Sequence, residues 1–184
     1  AIEDEARYLV DMVENILALT RLEQYGFTLR MEAELVEDVV QEAVNIIRPR
    51  AGRRRLKTEF AAPLLLARMD ARLTVQVLVN LLDNAIEGND RIVNKSIEKW
   101  INLSFSRVWD MFTIRCENPV NPTSIKRHQS KFVTSKRKNP EIHGFGIPNI
   151  ISIAENADGF CSFDIENNQF VATVTLPYPI KKEL

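Results

Sequence analysis

The chain has no run approaching the roughly 18 consecutive apolar residues of a membrane span, and its first residues lack the pattern of a secretory signal. The segment is therefore expected to be soluble, to make no membrane contact of its own and to sit in the cytoplasm. Charge of one sign is missing as well. With 24 basic and 25 acidic side chains the formal net charge is −1, and without an overall positive field nothing draws the chain to nucleic-acid backbones. The only two cysteines, Cys116 and Cys161, have no metal-ligand spacing. They suggest a reducing compartment and read as small core residues. Internal repeats and low-complexity segments are also absent. At 184 residues, 45% hydrophobic and 27% charged, the chain fits one globular domain, or one domain with an appendage.

What is present centres on NLLDNAIE, Asn80 to Glu87. From Leu73 onward, Val77, Leu78, Leu81, Leu82, Ala85 and Ile86 recur at helical spacing, so one broad face packs into a core. Asn80, Asn84 and Glu87 form a second stripe at i, i+4 and i+7, with Asp83 beside it. A carboxamide oxygen is a neutral hard ligand suited to one position on Mg2+ whose other ligands are phosphate oxygens and water. Asn84 is the residue placed for that role. Taken alone, the asparagines could equally cap or hydrogen-bond neighbouring loops.

The second informative stretch is HGFGIPNI, His143 to Ile150. Gly144 and Gly146 permit close backbone approach, and Pro148 suits the first turn of a helix running through Ile150, Ile151, Ile153 and Ala154. Free amides at that helix start attract anions. A glycine pair by itself is also compatible with an ordinary turn; the two stretches together, in this order, are far more specific.

Asn80 to Glu87 resembles the N box, and Gly144 to Asn149 the second glycine box, of the Bergerat-fold ATPases, specifically the catalytic domain of sensor histidine kinases. The resemblance covers nearly the whole chain. The first half, to about Glu87, is similar to ordinary two-component kinases, including the potassium-responsive type. The second half, with KFVTSK, HGFGIPNI and a closing FVATVTLP, is similar to the peptide quorum-sensing branch. This implies ATP and Mg2+ as cofactors, with Asn84 on the metal. It further implies nucleotide contacts from Asn80, Asn84 and Glu87, from His143, Gly144, Phe145, Gly146, Ile147 and Asn149, and from Phe132, Thr134, Ser135 and Lys136 in the position of the family's lid. Implied partners are a response regulator and the phosphoacceptor helix of a full-length, homodimeric kinase.

In chain order, residues 2 to 24 read as an amphipathic helix with Ile2, Ala6, Leu9, Val13 and Ile16 on one side. By resemblance, residues 1–25 are the second helix of the dimerisation and phosphotransfer hairpin without the first, and 26–184 the ATP-binding catalytic domain. FTLRMEAE suggests a strand, and Leu35 to Ile47 a helix that Pro49 ends. The cluster Arg48, Arg50, Arg53, Arg54 and Arg55 reads as a solvated helix end, where cations suit the dipole. LKTEF and LLLARM suggest two short strands, with Asp70 as N-cap of the N-box helix. GNDRIVNKSIE fits either a loop or a short helix. WINLSFSRV and MFTIRCEN alternate as paired strands about Trp109-Asp110, and GFCSFDI and FVATVTL as a hairpin about Asn167-Asn168. Between them, Pro119 to Ile142, with three prolines (Pro119, Pro122 and Pro140) and basic residues, reads as a loop of lid type. The expected fold is α+β, a two-layer α/β sandwich of the Bergerat ATP-binding type preceded by one long bundle helix.

The chain departs from the family at the Asp-x-Gly-x-Gly box, where CENPVNP stands instead. Asn118 is the stand-in for the carboxylate that accepts from the adenine amino group. A neutral acceptor is weaker than a charged one, which implies weaker adenine recognition and little discrimination between ATP and GTP. Neither His128 nor His143 lies on a bundle helix, so autophosphorylation within this chain is not expected. Two other readings remain open: a related ATPase or anti-sigma-type serine kinase, against which the N-terminal helix counts, and a degenerate interaction module, favoured by the missing box.

Overall fold

The computed structural model describes residues 28–94, 96–121, 126–128, 131–133 and 146–178, together with Val13. The rest of the helix expected over residues 2 to 24 lies outside the described residues. The strands are β1 (Glu32–Leu35), β2 (Arg55–Phe60), β3 (Leu66–Met69), β4 (Trp100–Val108), β5 (Met111–Pro119), β6 (Lys126–His128), β7 (Lys131–Val133), β8 (Phe160–Glu166) and β9 (Gln169–Pro177), with apolar alternation clearest in β4, β5 and β8. Helical spacing builds α1 (Val36–Ala51), α2 (Ala71–Asp90) and α3 (Gly146–Asn156).

The main sheet has the order β2-β4-β5-β9-β8, parallel between β2 and β4 and antiparallel elsewhere. A two-stranded β1-β3 sheet stands apart. One face of the main sheet is apolar: Ile101, Leu103 and Phe105 of β4, Phe112, Ile114 and Cys116 of β5, and Ala172, Val174 and Leu176 of β9 are all buried. Phe60, Phe105 and Phe112 stack in sequence, with centroids 5.2 and 6.5 Å apart. α2 crosses β4, β5 and β9 on this face, with α1 on one side of it and α3 on the other. The opposite face carries a cross-strand polar ladder. Lys57 pairs with Glu59, Asn102 donates to Glu59 and Glu117, and Arg115 pairs with Glu117 and Glu166. Such a face is suited to water, so the architecture has two layers, as expected for the Bergerat fold.

Several local expectations shift. Pro49 lies inside α1, which runs on to Ala51 and stops at Gly52, φ 60°; so near the end the ring forfeits a single helical bond, and its fixed φ is already helical. The cluster behind it is not merely solvated. Arg54 donates to the carbonyl oxygens of Arg50 and Ala51 and pairs with Asp90, while Arg50 pairs with Asp83 at 2.7 Å, tying α1 to α2. The first strand is confined to the four residues that find partners on β3. Gly88 to Asp90 continue α2, and two short strands, β6 and β7, stand within the span read as a loop. Both hairpin turns fall where expected, with Trp109, Asn167 and Asn168 at positive φ. Among the described residues no helix is long and apolar enough to cross a membrane.

Asp70 caps α2 as predicted. One carboxylate oxygen accepts from the Leu73 amide at 3.3 Å, and the other from the Arg30 amide at 3.1 Å. Asp70→Ala is expected to cost about 1–2 kcal/mol, the upper half of the range for a lost cap, and Asp70→Asn clearly less; urea unfolding of the variants measures both.

Candidate nucleotide site

α2 carries the site because only one of its stripes is needed for the core. Leu78, Leu81, Leu82 and Ala85 are buried against the sheet, Asn80 is buried beside them, and Asn84 and Glu87 are half-buried. Asn84 lies directly against the first residue of α3. A methyl group on Gly146 would stand 3.3 Å from Asn84 Nδ2 and 3.5 Å from Oδ1, so the two motifs distant in sequence meet in space. The first amides of α3 have no partner within their own helix, and Pro148 has no N–H. Gly146 and Ile147 thus bring backbone donors close to a carboxamide.

One turn beyond Asn84 along α2, Gly88 touches the end of β5. There Asn118 occupies a position in register with Phe170, on the apolar face that otherwise takes Phe112, Ile114 and Cys116. Asn118 is 1% exposed. Its Nδ2 donates to the Pro119 carbonyl at 3.0 Å, while its Oδ1 is buried with no hydrogen-bond partner among the described residues. A buried acceptor without a donor costs free energy, and an amino group delivered by a ligand would satisfy it. The site residues therefore fit a nucleotide: a buried acceptor for a base, and a carboxamide beside helix-start amides for phosphates and a cation.

The remaining expected residues divide. Glu87 is within 3.7 Å of Arg91, one turn along its own helix. Ile147 is half-buried at the start of α3, and Asn149 is fully buried with Ile150. Phe132 falls on β7 in register with Arg127. Thr134, Ser135, Lys136, His143, Gly144 and Phe145 lie outside the described residues. Sequence reasoning passed over Gly88, whose signal was a glycine inside a helix, four residues after Asn84. It also passed over Asn89, which is fully buried and donates to the Trp100 carbonyl at 3.0 Å; no periodicity distinguishes that residue from its neighbours. A groove of about 370 Å³ between α1 and the edge strand β2, lined by Val40, Val44, Leu56 and Phe60 among others, includes none of the expected residues.

Cys116 joins the site's two supports. Its thiol points to the Leu81 carbonyl at 3.9 Å, and burial, with the Glu117 charge second, pushes its pKa from near 9 up to about 12. Because the folded value lies above the unfolded one, its contribution is whole below about pH 9 and declines as pH rises towards 12. The stability gap between wild type and Cys116→Ser is expected to narrow over that window, by at most about 1.4 kcal/mol per pH unit, as read from denaturant unfolding at a series of pH values.

A two-layer sandwich with an asparagine-bearing helix set against a glycine-started helix, and a buried amide at the end of the adjoining strand, defines an ATP-binding domain of the Bergerat type. Residues 70–177, more than half of the chain, match the GHKL domain family, and the chain belongs to that family. The domain is of the kind that serves histidine kinases as their ATP-binding catalytic domain. The chain is 32% identical over 84 residues to the sensor protein KdpD of Clostridium acetobutylicum, covering 46% of this chain and 9% of that protein. It spans about a tenth of the length of the curated relatives it matches. In fold it is similar to the Acinetobacter baumannii histidine kinase AdeS, with a TM-score of 0.70 at 17% identity over 95% of this chain and 81% of that one. It is similar also to the histidine kinase ThkA, solved in complex with the response regulator protein TrrA, with a TM-score of 0.71 at 17% identity over 98% and 50% of the two chains.

Proposed function

We propose that this chain is the catalytic part of a two-component sensor histidine kinase, binding ATP and directing its γ-phosphoryl group to a histidine on a dimerisation helix of the full-length, homodimeric protein. From there the phosphoryl group passes to a response regulator. The observation that carries this reading is the meeting of Asn84 with Gly146, with the buried, unsatisfied oxygen of Asn118 on the residue that Gly88 meets one turn further along α2. Asn118 accepts from the amino group of the base. Amides at the start of α3 bind phosphate oxygens, where the helix end favours negative charge.

A bound Mg2+ would supply charge neutralisation for the phosphates, and Asn84 is the residue that would hold it, with phosphate oxygens and water as its other ligands. Mg2+ at phosphate-transfer sites is commonly held by few protein side chains together with substrate phosphates and water. Asn80 is buried on the same stripe and orients the site. As an amide it cannot take a proton from water, so hydrolysis of ATP is slow and the phosphoryl group is kept for transfer. The protein's work is then positioning and charge neutralisation, as in phosphoryl transfer generally. On the same reading Phe132, Thr134, Ser135 and Lys136 act as the lid and, with His143, Gly144 and Phe145, contact the nucleotide, and the domain works in the cytoplasm.

Thermal unfolding with and without Mg-ATP tests the reading. Ligand at a hundred times its dissociation constant adds about 2.7 kcal/mol, seen as a raised midpoint that requires magnesium and disappears in Asn84→Ala. An unchanged midpoint at millimolar nucleotide would count against it and favour a module that has lost its nucleotide.

A further inference from the structure

Gly88 is out of place by local preference, since alanine is favoured over glycine inside a helix. Its surroundings supply the reason. A Cβ at this position would stand 2.8 Å from Asn118 Nδ2 and 3.4 Å from Val120 Cγ1. The first distance is shorter than real contacts allow. Asn118 has little freedom to yield, because its side chain is short, is 1% exposed and donates from Nδ2 to the Pro119 carbonyl at 3.0 Å.

An asparagine amide is by nature ambivalent, with a donor and an acceptor that exchange places by a half-turn of the side chain. Here the half-turn would set Oδ1 against the Pro119 carbonyl, acceptor against acceptor. The amide is therefore held one way round, with its NH2 committed and its buried Oδ1 as the acceptor that has no partner. Held like this it presents what a carboxylate presents: an acceptor and no donor.

Resting on the nucleotide reading above, we infer that Gly88 is a positioning residue that makes Asn118 a one-way acceptor and so selects a purine bearing an exocyclic amino group at C6 over one bearing a carbonyl there. A 6-amino group satisfies Oδ1. A 6-oxo group would place two acceptors face to face in a buried setting, and sites built around a buried hydrogen bond reject analogues that leave it unmade. The neutral amide alone suggests weak discrimination; its fixed orientation reverses that expectation.

The test compares the dissociation constants of Mg-ATP and Mg-ITP, which differ at C6 in this respect, by calorimetry on the wild-type chain, on Gly88→Ala and on Gly88→Ala combined with Asn118→Asp. The wild type is expected to prefer ATP by about tenfold or more. Gly88→Ala pushes the amide off the Pro119 carbonyl and frees it to turn, so the preference falls roughly fivefold to tenfold, the worth of one hydrogen bond, through weaker ATP binding with ITP unchanged or tighter. Adding Asn118→Asp restores the preference, because a carboxylate accepts whichever way it turns. Equal weakening of both nucleotides by Gly88→Ala, or failure of Asn118→Asp to restore the ratio, overturns the inference. So does a wild type that binds ATP and ITP equally, which leaves the nucleotide site itself standing. A wild type that binds neither triphosphate overturns both.

Discussion

Everything in this domain depends on the burial of one helix against one face of one sheet. α2 lays Leu78, Leu81, Leu82 and Ala85 onto the apolar rows of β4, β5 and β9, and that contact places its polar stripe at the end of β5 and beside the start of α3. Each buried leucine or phenylalanine contributes about 1.5–3 kcal/mol relative to exposure. The orientation of α2 about its own axis is thus set by terms far larger than any single polar contact. Asn84 meets Gly146, and Gly88 meets Asn118, because the apolar face leaves α2 no other way to lie.

The polar groups that accompany this packing are unevenly satisfied. Asn89 secures α2 to the start of β4 through the Trp100 carbonyl, Cys116 reaches the Leu81 carbonyl, and Arg50 and Arg54 fasten α1 to Asp83 and Asp90. These contacts hold the scaffold. Asn118, like Asn89, has the NH2 half of its amide paired and its buried Oδ1 without a partner among the described residues, in a setting where an unmade hydrogen bond is costly. Departures from local consistency of this kind gather at functional sites, and Asn118 lies at the end of β5, against Gly88 of α2.

The absence of the family's Asp-x-Gly-x-Gly box looks in the sequence like a loss of function. In three dimensions the change is less drastic, since Asn118 stands on the same apolar face that receives α2 and retains a buried acceptor. The glycine that accommodates it comes from α2 rather than from the strand's own loop.

Periodicity and turn chemistry were legible in the chain itself. The 3.6-residue spacing of α2, the alternation of β4, β5, β8 and β9, the Asp70 cap and the Asn167-Asn168 turn are local features, set by neighbours within a few residues, and they gave the two-layer class; the association of Asn84 with the glycine stretch came from the family resemblance. The ends of elements were less legible: Pro49 is tolerated in the last turn of α1, and β1 extends only as far as β3 can pair with it. Wholly hidden were the contacts made across the fold, such as Arg50 with Asp83, Asn89 with Trp100, and Gly88 with Asn118. A sequence pattern reports which face of an element is apolar. Which two faces come within a hydrogen bond's length of each other is decided only when packing fixes their relative position, so the sequence could name Asn118 but not the direction in which its amide is held.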